Sequence, residues 1–276
     1  MSDRSGKDEL WLQQVGGGGP IQLTHDNENE KVEAPAFFPD GKRILYERIS
    51  ADTGKSTIEA ISALGGEPMV LTEGVGVSRW GWTPSPDGRQ IAYVESTQGA
   101  EKLMTLSSNG GQPRELPAWA RVRNLGYSSP VWTPDSRYLL CPLMVKPGEA
   151  ANAEEWEWFA FPVDGGDPVV TGAGATLRAA GLTLAEPRLM TGDRVLFDVV
   201  GGTAGLSNVW EIRLAPGSWR VRDVPHQLTF GTLNEIPTSI SATGTVALEV
   251  GSNLNDLYLI PLAGTPDGFC FRRGYI

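Results

Sequence analysis

The sequence predicts an all-β protein built from repeated units of four short strands, and three observations support this prediction. Two short motifs recur along the 276 residues, and their copies are spaced by about the length of one such unit. The 34 glycines and 20 prolines are also spread over the whole chain rather than gathered in one segment. This composition favours many short strands joined by turns over long helices.

The first motif is a tight turn followed by an apolar strand, and its clearest form is Pro-Asp-Gly. Proline presets φ, the aspartate caps the turn, and glycine accepts a positive φ, so the motif predicts a hairpin between the first and second strands of a unit. Copies with the full or partial motif cover residues 39–46, 86–93, 134–140, 191–197 and 242–248.

The second motif is a strand, a glycine pair, a proline and a short strand that ends in Leu-Thr. It predicts the turn from the third strand to the fourth, because a proline without an N–H suits an outer edge strand. A short outer strand also keeps the exposed edge of the sheet small. The copies lie at residues 18–24, 65–72, 110–117 and 165–171, with weaker ones at 210–229 and 257–262.

The spacing of the first motif predicts the architecture. Pro39 and Pro86 are 47 residues apart, Pro86 and Pro134 are 48 apart, and the next two steps are 56 and 52 residues. A propeller blade of four strands takes about 40–50 residues. We therefore expect a six-bladed β-propeller of four-stranded antiparallel blades in a single domain. The expected blades are residues 1–28 (partial), 29–75, 76–120, 121–173, 174–231 and 232–276.

The first of these blades begins at its third strand, so we expect it to be truncated at its N-terminal side. Residues 268–276 offer about one further strand. We therefore expect the chain to be the C-terminal part of a longer protein. An open ring would leave two blade faces uncovered, which predicts marginal stability or self-association.

Together these motifs resemble the TolB-type, WD40-like (PD40) propeller repeat, whose hallmark is Ser-Pro-Asp-Gly, an Ile-Ala-Phe-like strand, Gly-Gly and Leu-Thr. Ser85 to Gly88 with Ile91 to Tyr93 is the best copy, and the resemblance extends over essentially the whole chain. True WD40 repeats carry Gly-His and Trp-Asp pairs, which this chain lacks. The resemblance implies a propeller that follows another module, such as a kinase or a winged-helix domain.

Charge and hydropathy exclude two classes of partner. The formal net charge is −10, and basic residues cluster only in pairs such as Lys42-Arg43 and Arg272-Arg273, so we expect no nucleic-acid binding. No apolar run reaches the length that spans a bilayer, so we expect no membrane insertion by this segment. No signal peptide precedes the first strands as the chain is written. We expect a cytoplasmic protein if Met1 is the native start, and a periplasmic or extracytoplasmic one if a segment precedes it.

The sequence also predicts no catalytic residue, no metal site and no cofactor. It has no Gly-x-Ser-x-Gly elbow, and its two histidines and two cysteines have no zinc-ligand spacing. Gly54-Lys55-Ser56 ends like a phosphate-binding loop, but Ile49 stands where that motif needs glycine. We expect residues 50–57 to form a hairpin loop, and Cys141 to be a small buried apolar side chain.

The segment from Glu149 to Trp158 departs from the repeat. Trp156 and Trp158 alternate with Glu155 and Glu157, so one face of a strand would be aromatic and the other acidic. Tryptophan is enriched at interface hot spots, so these four residues are candidate partner-binding residues. The simpler alternative is that they begin a third strand that packs on the neighbouring blade.

Three functions remain open at this point. The first is a non-catalytic scaffold that binds a protein or peptide. The second is the sensor or regulatory propeller of a bacterial signalling protein, such as a kinase or transcriptional regulator. The third is the propeller domain of a serine peptidase without its hydrolase domain, since that domain has no counterpart in the sequence.

Overall fold

A computed structural model describes residues 8–14, 18–25, 29–75, 77–97, 100–116, 129–145, 155–182, 185–200, 206–241, 244–251, 255–261 and 272–274. The chain divides into two compact units, residues 1–120 and 121–276. Strands dominate both units. The one helix in the described residues has seven residues, and none of the described segments forms a helix that is long and apolar enough to cross a membrane.

The first unit holds three antiparallel sheets in which each strand pairs with the next along the chain. The first sheet has two strands and the other two have four. They are β1 (Trp11–Leu12) and β2 (Ile21–Gln22); β3 (Glu30–Phe37), β4 (Arg43–Ser50), β5 (Ser56–Ser62) and β6 (Met69–Val75); and β7 (Val77–Pro84), β8 (Gln90–Thr97), β9 (Ala100–Ser107) and β10 (Arg114–Glu115).

The second unit holds three more antiparallel sheets, two of four strands and one of five. They are β11 (Val131–Trp132), β12 (Tyr138–Val145), β13 (Glu155–Pro162) and β14 (Val169–Val170); β15 (Ala185–Thr191), β16 (Arg194–Val200), β17 (Ser207–Ala215), β18 (Arg220–Val221) and β19 (His226–Gln227); and β20 (Asn234–Ile240), β21 (Thr245–Gly251), β22 (Asn255–Pro261) and β23 (Arg272–Gly274). The helix α1 (Ala173–Ala179) lies between β14 and β15 in sequence.

The Pro-Asp-Gly turns join first to second strands, as predicted. Gly41 and Gly88 have φ angles of 67° and 71°, in the left-handed region that glycine enters without strain. The Asp87 carboxylate accepts hydrogen bonds from Ser85 Oγ at 2.6 Å and from the Arg89 N–H at 3.0 Å. The third copy has Ser136 at the glycine position with φ of 57°.

The glycine pairs join third to fourth strands, which is also as predicted. At one of them, a Cβ on Gly110 would meet the Leu71 carbonyl oxygen at 3.1 Å, because this turn packs on β6 of the preceding sheet. Arg43 reaches the same turn and donates to the Ser108 carbonyl at 3.0 Å. The turn therefore needs glycine both for its backbone angles and for its close approach to the preceding sheet.

Within each unit the apolar side chains pack between sheets that follow each other along the chain. In the first unit, one cluster joins the second sheet to the third. It contains Phe38 from the turn before β4, Leu45 of β4, Ile58 of β5, Ile91 of β8 and Leu106 of β9. Cys141 is buried as expected, and burial raises the pKa of its thiol. Cys270 lies outside the described residues.

Six blades were expected with the first of them partial, and the structure confirms this in part. The described residues form five sheets of four or five strands, not six, together with the two-stranded sheet β1–β2. The reason lies in residues 1–28, where the sequence holds only the strand, glycine pair and Leu-Thr of the second motif. Among the described residues of this segment, the strands are β1 and β2 alone.

Candidate partner-binding edge

The four candidate residues are the first four residues of β13, which matches the simpler of the two sequence interpretations. β13 pairs with β12 on one side, with Trp156 opposite Met144 and Trp158 opposite Pro142. On its other side it pairs with β14, with Phe159 opposite Val170. The side chain of Glu155 and the loop at residues 146–154 lie outside the described residues.

Trp158 belongs to the core of the second unit. Its side chain is 1% exposed, and its ring meets Phe197 of β16 edge to face at 5.5 Å. Its indole N–H donates to the Ala185 carbonyl of β15 at 3.1 Å, which satisfies the polar atom of a buried indole. Trp158 therefore packs its sheet against the next one, and its side chain is not accessible to a partner.

Glu157 caps the helix α1. Its Oε1 accepts hydrogen bonds from the Gly174 N–H at 3.0 Å, from the Trp158 N–H at 2.8 Å and from Thr171 Oγ1 at 3.3 Å. The N-cap residue Gly172 has no side chain, so this carboxylate satisfies an N–H of the first helical turn that would otherwise lack a partner. Glu157 is therefore tied to the protein's own backbone.

Trp156 lies under the same helix and is half-buried. Its carbonyl oxygen accepts a hydrogen bond from Arg178 of α1 at 2.9 Å. A Cβ built on Gly174 would overlap this carbonyl oxygen, so α1 lies directly against the β13 backbone. Among the three candidates whose side chains are described, Trp156 is the one that a partner could reach at this edge without displacing a cap or the core.

The structure also shows what the Leu-Thr motif does, which the sequence interpretation missed. Thr24 Oγ1 accepts the Leu10 N–H at 2.9 Å and donates to the Glu9 carboxylate. Glu157 and Thr171 form the same carboxylate–hydroxyl pair between β13 and the residue after β14. The signal that could have revealed it is the acidic residue that precedes the third strand's buried residue in both copies, Glu9-Leu10 and Glu157-Trp158.

A second polar group is buried inside the β3–β6 sheet. Tyr46 donates to the Glu59 carboxylate at 2.5 Å, and Arg48 donates to both oxygens of Glu59 at 3.0 Å. Burial, together with the hydrogen bond to Glu59, raises the pKa of Tyr46 far above its ordinary value. These groups satisfy one another, so the arrangement acts as an internal brace.

The loop with the phosphate-loop ending is a hairpin turn between β4 and β5, as expected. The Gly54 N–H donates to the Ser50 carbonyl at 2.8 Å, and the Ser50 N–H donates to the Lys55 carbonyl at 3.0 Å. Across the part of the chain that the structure describes, no group of three or more His, Cys, Asp and Glu side chains is arranged to hold a metal ion.

Curated proteins of two kinds resemble the chain over about half of its length, and no protein-family model matches it. The uncharacterized peptidase YuxL of Bacillus subtilis is 30% identical over 132 residues, which are 45% of this chain and 19% of that protein. The Tol-Pal system protein TolB of Francisella tularensis is 27% identical over 134 residues, which are 48% of this chain and 30% of that protein. Each match thus covers less than a third of the relative.

Solved structures resemble nearly the whole chain. TolB of Acinetobacter baumannii aligns with a TM-score of 0.63 at 15% identity and covers 92% of this chain and 57% of that one. The propeller domain of the trilobed protease of Pyrococcus furiosus aligns with a TM-score of 0.53 at 11% identity and covers 87% and 80%. At these identities the likeness shows the fold alone. The chain is an all-β propeller of small antiparallel sheets, similar to TolB and to the propellers of peptidases.

Proposed function

We propose that this chain is a non-catalytic TolB-like β-propeller that binds a protein or peptide, as the C-terminal part of a larger protein. The observation that carries the proposal is the agreement of two comparisons: TolB proteins match 48% of the chain by sequence and 92% of it by structure. Because one fold hosts many functions, the sequence match to TolB supports the proposal in addition to the fold.

The proposal includes a sixth, truncated blade of the PD40 repeat type at residues 1–28. Next to β1 and β2 in sequence, the Glu9–Thr24 pair repeats the Glu157–Thr171 pair of a complete sheet. This equivalence supports β1 and β2 as the third and fourth strands of a blade whose first two strands are supplied from elsewhere. A single propeller domain over residues 1–276 is part of the same proposal.

A second candidate function is the propeller of a serine peptidase. It is favoured by the 30% identity to the peptidase YuxL over 132 residues. Structural likeness to an acylaminoacyl peptidase, with a TM-score of 0.53 and 90% of this chain covered, agrees with it. The complete reading frame separates the two candidates, because this one requires an α/β-hydrolase domain with a nucleophile elbow. A kinase or winged-helix module in that frame would instead favour the signalling alternative.

Peptide selection on the purified chain tests the binding role. A displayed library of random dodecapeptides is panned on the immobilised protein, and each enriched peptide is measured by calorimetry and then incubated with the protein for mass spectrometry. We expect saturable binding and intact peptide. Peptide that is cleaved, with cleavage abolished by substitution of one residue, would overturn the non-catalytic proposal.

The same measurement tests the candidate edge. Trp156→Ala should weaken binding of a peptide that uses this edge, whereas Trp158→Phe should leave the affinity unchanged because that side chain lies in the core. Equal affinities for the wild type and Trp156→Ala would show that Trp156 does not contribute to peptide binding.

A further inference from the structure

Two large apolar side chains are exposed on the connection between β19 and β20. Phe230 is 71% exposed and Leu233 is 45% exposed, three residues apart on residues 228–233. The residues at the two ends of this connection are the opposite, since Thr229 and Glu235 are both buried. Buried polar residues therefore flank the part of the connection that exposes Phe230 and Leu233.

Hydrogen bonds from buried groups hold the backbone of this connection in place. The Glu235 carboxylate accepts from Asn208 Nδ2 at 3.0 Å and from the Gly231 N–H at 3.3 Å. Asn208 Nδ2 also donates a hydrogen bond to the Gly231 carbonyl oxygen at 3.4 Å. A side chain at position 231 would overlap the Glu235 carboxylate, so only glycine permits this contact without a shift.

The two ends of the connection are fastened to β17 in the same way. Thr229 Oγ1 accepts the Val209 N–H at 2.9 Å, and Asn234 Oδ1 accepts the Ser207 N–H at 2.9 Å. Because the backbone is already ordered, a partner that covers Phe230 and Leu233 would lose little conformational entropy from this side.

Carboxylates outnumber cations at this end of the two neighbouring sheets. Glu186 of β15 lies opposite Asp198 of β16, and Glu249 of β21 lies opposite Ile236, next to Glu235. Arg188 is the only basic residue within these strand ends as far as the structure describes them, and it is held by Asp198 at 2.5 Å and Glu186 at 2.9 Å. Four carboxylates and one guanidinium give these strand ends an excess of carboxylates, and one of them, Glu235, contacts Gly231 of the connection itself.

We propose that Phe230 and Leu233 form the docking surface for a partner segment in which a large apolar side chain is flanked by lysine or arginine. This inference rests on the proposed binding function and names the chemistry of the partner. Phe230 is the larger and the more exposed of the two side chains, which makes it the anchor of the contact. The surrounding carboxylates attract a basic segment and reject an acidic one, so they supply the specificity.

Peptides enriched on the wild-type chain test the proposal through their sequences and their binding to a variant. We expect lysine or arginine beside a large apolar residue in the enriched peptides. Fluorescence polarisation with the best labelled peptide should show affinity reduced about tenfold or more by Phe230→Ser with Leu233→Ser. Raising the salt concentration from about 50 mM to about 500 mM should also weaken binding, because the charge attraction is screened.

Phe37→Ser is the matched control, because Phe37 of β3 is another exposed phenylalanine (52%) in the first unit. It should leave the affinity unchanged, and all variants should keep the wild-type melting temperature, since exposed side chains contribute little to the core. Enriched peptides that bind the double variant as tightly as the wild type would overturn this docking surface and leave the proposed function standing. Enriched peptides that are acidic and bind through Phe230 would overturn the proposal that the partner segment is basic. A wild-type chain that enriches no peptide would overturn both proposals.

Discussion

At the scale of single residues, Glu157 shows how a side chain typical of a binding surface can be used internally. Its position beside two tryptophans indicated an acidic recognition edge, but its Oε1 accepts from two backbone N–H groups and a threonine. These three hydrogen bonds hold Oε1 against the protein's own backbone and Thr171. Glu9 has a similar bond to Thr24, so two of the described sheets use a carboxylate in this way.

Gly88 allows a direct test of the turn chemistry. Its φ of 71° is unfavourable for any residue with a Cβ, while the space around it is open, with the nearest atom 3.9 Å from a Cβ built there. Gly88→Ala should therefore lower the free energy of unfolding by about 1 kcal/mol through backbone strain alone. Chemical denaturation measures the change. Gly19→Ala, with no positive φ and nothing within 4 Å, is the control and should be neutral. An equal loss in both variants would contradict this account of the turn.

Glu47 predicts a pH dependence of stability. Burial raises the pKa of this carboxyl, a hydrogen bond to Ser56 opposes the rise, and Glu33 adds to it. A folded-state pKa above the unfolded value means that Glu47 favours folding below the unfolded pKa, and that this contribution is lost as the pH rises through the folded pKa. At neutral pH the buried charge is therefore unfavourable.

Glu47→Gln should accordingly raise the melting temperature at neutral pH, and the gain should shrink as the pH falls to about 4. Thermal melts over this pH range measure it. Glu73→Gln, at an exposed position of β6, should change little at any pH. A gain for Glu47→Gln that is the same at all pH values would indicate better packing of the amide rather than removal of a charge.

At the scale of secondary-structure elements, the helix α1 is the feature that the repeat did not predict. It is held against β13 by the Glu157 cap, by Arg178 on the Trp156 carbonyl, and by the small Gly174. The sequence signal is weak because Gly174 has poor helix propensity and the N-cap Gly172 has no side chain to cap the helix. Contact with β13 therefore stabilises this helix more than its own residues do.

Gly174→Ala tests this contact. Helix propensity alone would make the substitution favourable by about 1 kcal/mol. Overlap of the new methyl with the Trp156 carbonyl should outweigh this and lower the free energy of unfolding by about 1–3 kcal/mol. Ala175→Gly, at an exposed position of the same helix, isolates the propensity effect and should cost about 1 kcal/mol. A Gly174→Ala protein that is more stable than the wild type would contradict the close packing of α1 on β13.

Prolines inside the first strands are a second signal at the scale of elements. Pro35, Pro187 and Pro237 lie within β3, β15 and β20, each at a shift of register against the second strand. A proline within a strand indicates an edge strand or a bulge, and each of these strands is the edge strand of its sheet. A proline of this kind therefore identifies the first strand of a sheet, just as the Pro-Asp-Gly turn identifies the end of that strand.

At the scale of the whole molecule, the net charge of −10 and the truncated first blade that we propose would have opposing effects on association. Uncovered strand edges and blade faces favour contact between copies, while like charge disfavours it. Sedimentation velocity should therefore show association that increases with protein concentration, and more so at about 500 mM salt than at about 50 mM, where repulsion acts over a longer range. A sedimentation coefficient that is independent of protein concentration and salt would contradict the prediction.

The sequence by itself determined the repeated unit, because its signals are local. Proline, glycine and aspartate restrict φ or cap a turn wherever they stand, so the motifs at Pro39, Pro86 and Pro134 identified hairpins without knowledge of their neighbours. Tertiary structure alone decided what the side chains of those strands touch. Trp158 is buried because β15 and β16 pack on it, and Phe230 is exposed because buried Glu235 and Asn208 hold its loop in place. Contacts between residues tens of positions apart decide burial, and no local pattern records them.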